Sequence, residues 1–272
     1  MALALRFVTL QLRAYSLIAI NRQSRFTMTP EMIPYLAACI FVVAMMYASV
    51  GHGGASGYLA VMALFSLHPE ALKPTALMLN IVVAGVGTYL YCSAGQFSWR
   101  VFWPFMITSI PASFLGGAFS LPPELYRPVL GMMLFYAAWR LFVRRKHDEY
   151  QPKPPTLLLA MVVGGVLGFA SGIIGVGGGI FLSPLMVLFR WARVREVSGI
   201  AALFILVNSI SGLFGHLSSL QHVPDYAPML AGVALVGGTI GALCGSRHLP
   251  VATILKAMSF MMVLAGGKMF LF

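Results

Sequence analysis

Two uncharged runs in this chain are too long to be single straight helices. Met32 to Pro69 is 38 residues without Asp, Glu, Lys or Arg, and Pro154 to Phe189 is 36. At about 1.5 Å per residue either would make roughly 55 Å of helix, against a hydrocarbon core of about 30 Å. A glycine cluster sits halfway along each: V-G-H-G-G-A-S-G-Y-L-A-V-M from Val50 to Met62, and G-I-I-G-V-G-G-G-I-F-L-S-P-L-M from Gly172 to Met186. The expectation is that the helix breaks there. A bilayer tolerates such a break only where the freed N–H and C=O groups are buried in protein or line a wet cavity. Both clusters are therefore expected to meet at the membrane midplane and form one site.

Composition sets the class. Only 9% of the 272 residues are charged and 59% are hydrophobic, where a soluble domain carries about 25% charged residues. The fold class is an all-α polytopic membrane protein. Tilted membrane strands are excluded by the length of the apolar runs and the missing alternation. Net charge is +11, but the basic residues (Arg144, Arg145 and Lys146; Arg190, Arg193 and Arg195) stand between apolar runs, where the positive-inside rule puts them. They read as topology signals, with no nucleic-acid partner. Cys39, Cys92 and Cys244 are an odd, scattered set in apolar segments and read as packing residues, neither disulfides nor zinc ligands.

Four stretches organise the chain. Residues 1–30 form an N-terminal basic extension with Arg6, Arg13, Arg22 and Arg25 and no acid. They read either as an amphipathic surface helix or as sequence upstream of a start at Met28. Residues 31–145 are a first transmembrane repeat, 146–155 a polar, proline-rich linker, and 156–272 a second repeat. Each repeat has about four apolar segments, the first broken at its glycines. After the breaks the segments are 75–94, 101–120 and 125–143, then 197–217, 226–246 and 249–272. Arg127 and Arg140 close the third of these and read as snorkelling to the interface.

The halves align with each other. An offset of 124 puts Gly51, Gly53 and Gly54 on Gly175, Gly177 and Gly178. An offset of 128 puts Asn80 on Asn208, with the difference read as an extra helical turn in R-W-A-R-V-R-E. Internal duplication with a midplane site is the usual plan of secondary transporters. If each broken run crosses once, the repeats are parallel; if it folds back, they are inverted. Run length favours the inverted repeat.

The motif G-V-G-G-G-I-F-L-S-P-L-M, with its echo in the first half, resembles that of the sulfite exporter TauE/SafE family. The resemblance covers residues from about 33 to 272. It implies a multi-pass protein of the bacterial inner membrane that transports sulfite, thiosulfate, a sulfonate or a similar small anion. The first motif departs from the pattern: His52 replaces a small or apolar residue, Ala55 the third glycine, and Ala60 the proline.

The expected substrate-binding residues are Gly51, His52, Gly53, Gly54, Asn80, Gly175, Gly177, Gly178, Gly179, Ser183 and Asn208. Glycine lets backbone approach a ligand, and a helix starting after such a turn points free N–H groups and partial positive charge at an anion. Close helix packing through small residues is the competing reading, preferred for single glycines such as Gly164 and Gly232. The Asn80 and Asn208 amides would donate to an oxyanion or bond between helices; Ser56, Ser209 and Ser211 are weaker candidates. His52 and His216 read as the only ionisable side chains at membrane depth, and His52 as a group that would donate to the anion or take up a coupling proton. No catalytic set, metal cluster or cofactor motif is expected, and the glycine string does not follow a strand as a dinucleotide fold requires. The function expected is a secondary transporter of a small sulfur-containing anion, working by alternating access. The alternatives are a passive anion channel, and an integral-membrane enzyme or partner in sulfur metabolism. The expected partners are the anion and the lipid bilayer, with a homodimer left open.

Overall fold

The computed structural model describes residues 30–49, 51–67, 69–119, 123–142, 151–218 and 223–245, together with 260, 263, 266 and 267. The N-terminal extension before Pro30, the linker up to residue 150 and most of the expected final span lie outside the described residues, as do the side chains of Arg127 and Arg140.

Among the described residues every regular element is helical. A 3₁₀ turn at Pro30–Met32 leads into α1 (Ile33–Ala48), followed by α2 (Ala55–Leu64), α3 (Pro69–Ser93), α4 (Trp99–Ala118) and α5 (Pro123–Phe142). Then come α6 (Leu157–Ile174), α7 (Gly179–Leu188), α8 (Val194–Ser218) and α9 (Ala227–Gly245). Among the described residues, five stretches are long and apolar enough to cross a membrane: 70–93, 99–118, 157–174, 196–218 and 227–244. Exposed Leu158, Val162, Val166, Phe114 and Leu115 on these helices would be a liability in water and give lipid-facing surface in a bilayer.

Each overlong run is two helices. One is interrupted between Ala48 and Ala55 and the other between Ile174 and Gly179. The second piece of each is 10 residues, or about 15 Å, half a hydrocarbon core. Gly175 ends α6 in the left-handed region (φ 84°), its N–H donating to the Ser171 carbonyl at 2.8 Å, the simple αL helix stop. Gly54 precedes α2 at φ 99°.

The short helices also end alike. Ser66 (φ 59°) and Arg190 (φ 57°) are the non-glycine residues with positive φ among those described. Beside them Leu67 N–H bonds Met62 O at 3.0 Å, and Trp191 N–H bonds Met186 O at 2.9 Å. R-W-A-R-V-R-E is thus mostly the turn between α7 and α8, and adds no helical turn. Helices α3 and α8 are both 25 residues long and start 125 residues apart. By helix position Asn80 therefore corresponds to Ile205, which corrects its alignment with Asn208.

The two parts of the chain interdigitate. Helix α4 packs on α6 and α8, α9 packs on α1 and α3, and α3 lies against α8. Small residues set how close these helices come. Gly164, Gly168 and Gly172 recur every fourth residue on α6, and a Cβ on them would collide with the carbonyl oxygens of Phe105, Ser109 and Ser113 on α4. Here the packing reading of lone glycines holds. It fails for Gly232, which has nothing within 4 Å of its Cβ position. Cys92 and Cys244 are exposed, so neither is a packing residue.

Candidate functional site

The two helix breaks converge on one pair of side chains. A Cβ on Gly53 would lie 2.7 Å from Asn80 Oδ1 and 2.8 Å from Ile205 Cγ2. A Cβ on Gly177 would lie 2.8 Å from Asn80 Nδ2 and 2.8 Å from the same Ile205 methyl. Asn80 and Ile205 come from α3 and α8, and they separate the start of α2 from the start of α7. Gly51 packs on Ser198 of α8, while Gly175 packs on Lys73 of α3. Each break therefore rests on the long helix of the other part of the chain.

The backbone around this junction has spare donors. Among the described residues, no backbone acceptor is found for the N–H groups of Gly53, Gly54, Gly177, Gly178 or Gly179, which belong to buried residues. Buried orphan amides are rare in folded proteins. At a helix start they combine with the positive end of the helix dipole, which makes the position favourable for an anion.

Asn80 is fully buried. Its Nδ2 donates to Val176 O at 3.2 Å and Ser209 Oγ at 3.3 Å, so both amide hydrogens are used, one of them on the break itself. Oδ1, on the Gly53 side, has no protein partner. Of the two roles expected of this amide, its hydrogens take the one between helices, a clamp on the second break. Asn208 is also fully buried, but its Nδ2 turns back to the Phe204 carbonyl of its own helix at 2.8 Å. Ser113 of α4 donates to the Asn208 backbone oxygen at 2.8 Å. Of the two asparagines, only Asn80 is at the junction.

His52 and Ser183 join the two breaks a second time. Ser183 Oγ lies 3.1 Å from His52 Nε2 and 2.8 Å from the Gly179 carbonyl, four residues back on α7. Tyr47 and Ser56 hydroxyls pair at 2.8 Å where α1 and α2 meet, and Ser211 bonds Ile110 O. His216 is buried about two helical turns beyond Ser209 along α8.

Two residues were missed by sequence reasoning. Lys73 lies in the first turn of the candidate span 70–93 and is 6% exposed, a buried cation alongside the buried His52 and His216. Its Nζ donates to Gly117 O at 2.7 Å and Phe119 O at 2.9 Å, with Gly116 O at 3.5 Å. The ammonium thus caps the C-terminal end of α4, where free carbonyls and the negative end of the dipole favour a cation. Tyr58 is the other: its hydroxyl is buried without a partner, 2.7 Å from the Cβ position of Gly54. An aromatic in an apolar helix gives no signal of its role until its neighbours are known. Among the described residues, no group of His, Cys, Asp and Glu is arranged to hold a metal.

Residues 36–269 match the family described as sulfite exporter TauE/SafE. The chain belongs to the sulfite exporter TauE/SafE family. Relatives of this TauE/SafE chain include the probable membrane transporter protein y4hK of Sinorhizobium fredii, 40% identical over 238 residues that cover 86% of this chain and 96% of that protein. A probable membrane transporter protein of Haemophilus influenzae is 25% identical over 268 residues, 88% of this chain and 100% of that protein. The sulfite exporter TauE/SafE family protein 6 of Arabidopsis thaliana is 29% identical over 112 residues, 39% of this chain and 25% of that protein. No solved structure matches. The family and its named relatives make this a membrane transporter with several membrane-spanning helices.

Proposed function

We propose that this chain is a secondary transporter that moves a small sulfur-containing anion, such as sulfite, thiosulfate or a sulfonate, across the bacterial inner membrane. One observation carries the reading: two helix starts of buried glycines, whose N–H groups have no backbone acceptor among the described residues, face each other across Asn80 and Ile205. The anion sits between Gly53–Gly54 and Gly177–Gly179. Gly51 and Gly175 set the turns, and Ser183 and His52 tie the two breaks together. The sulfur chemistry comes from the family description and the names of the plant relatives.

In this reading the chain is a duplication, with repeats at 31–145 and 156–272 joined by the 146–155 linker. The matched helix lengths, the matched turns at Ser66 and Arg190, and the exchange of α4 and α9 between the parts support it. We favour inverted repeats, because a 10-residue second piece is half a crossing and can return the chain to the side it came from. Alternating access then moves the parts about the fixed junction, with His52 as the group that would take up a coupling proton.

The test is flux in proteoliposomes. Gly178 has φ 75°, and its Cβ position is 2.8 Å from Phe204. Gly178→Leu is expected to insert in the membrane and carry no sulfite flux, and normal flux would remove the site assignment. Stimulation by anion on the opposite side separates a carrier from a channel.

A further inference from the structure

The hydrogen bonds of Asn80 fix which way its amide points. A carbonyl oxygen only accepts, so the atom 3.2 Å from Val176 O is nitrogen. Its second hydrogen goes to Ser209 Oγ. The remaining atom is therefore an acceptor, Oδ1, held against Gly53 and fully buried without a protein partner. A buried acceptor left unsatisfied carries its full desolvation cost.

Charge is limited in the same place. Each helix start contributes the equivalent of roughly half a positive charge, so the α2 and α7 starts together balance about one negative charge. The Lys73 ammonium is directed away from Asn80, onto the Gly117 and Phe119 carbonyls at the end of α4. The His52 imidazole is engaged with Ser183.

Building on the anion reading above, we infer that the junction selects a singly charged oxyanion that also carries an O–H or N–H group, which donates to Asn80 Oδ1. A hydrogen-sulfite-like or amino-bearing sulfur oxyanion meets both demands. A fully deprotonated dianion would set a charged oxygen against a carbonyl oxygen and bring twice the charge the helix starts balance. A monoanion without a donor hydrogen would leave Oδ1 unpaired.

Sulfamate and methanesulfonate separate these cases at one pH. They share charge and near-identical shape, and differ by an NH₂ in place of a methyl. Sulfate serves as the dianion. Apparent affinities come from the thermal stabilisation of the purified full chain in detergent at equal ionic strength. The wild type is expected to bind sulfamate at least about fivefold more tightly than methanesulfonate, with sulfate weakest. Asn80→Leu is expected to bring the first two together, with Asn80→Ala in reserve if the leucine variant does not fold. Equal binding of sulfamate and methanesulfonate by the wild type, or tightest binding of sulfate, overturns the inference and leaves the anion site standing. Absence of stabilisation by any of the three overturns both.

Discussion

His52 Nε2 donates to Ser183 Oγ across the two helix breaks at 3.1 Å. The direction follows from the hydroxyl's single hydrogen, which goes to the Gly179 carbonyl at 2.8 Å. The imidazole thus carries its proton on Nε2 when neutral, and the pair links the first break to α7 through a bond that either break moving away would sever.

That bond predicts an energetic coupling. In thermal unfolding of the four proteins of a double-mutant cycle, His52→Ala and Ser183→Ala are expected to be non-additive by about 1 kcal/mol. Additive effects would mean that the two side chains do not interact in the folded protein.

Glycines should divide sharply by environment. Gly178→Ala places a Cβ at φ 75° and 2.8 Å from Phe204 Cε1, and is expected to cost about 1–3 kcal/mol. Gly232→Ala, with nothing within 4 Å, is expected to be neutral or to stabilise by up to about 1 kcal/mol. Denaturation midpoints in detergent compare the two directly.

Lys73→Met keeps the length of the stem against Gly175 and removes the ammonium from the end of α4. A loss of about 2 kcal/mol is expected from the unpaired Gly117 and Phe119 carbonyls. Lys73→Glu would set a carboxylate against them, and is expected to prevent accumulation of folded protein altogether. Unfolding midpoints and membrane yield read the two effects.

The spanning helices and the interruptions at both glycine clusters could be read in the chain because they depend on local quantities: gaps between charges, run length and glycine spacing. Lys73 could not. It falls just past the end of the first uncharged run and looks like a boundary residue, and the carbonyls that accept from it are 44 and 46 residues further along. Asn80 was picked out correctly as a buried amide in an apolar helix, but its job depends on Val176, 96 residues away. Its supposed twin shows how register fails. Matching one asparagine to another shifted α8 by three residues, nearly one helical turn, and so passed over Ile205, the residue at the junction. Side-chain roles at a meeting of four helices are set by contacts distant in sequence, and a one-dimensional pattern carries little of that.

The central claim is that Gly53 and Gly177 border one shared anion site, one from each break. Sulfite-dependent thermal stabilisation of the purified protein tests it directly, comparing wild type with Gly53→Ala and Gly177→Ala taken singly. Each alanine would press on Asn80, at 2.7 Å and 2.8 Å respectively. The account predicts that wild type is stabilised by mass action, and that either substitution alone abolishes the shift. A full sulfite shift retained in either folded variant would contradict a single site built by both breaks.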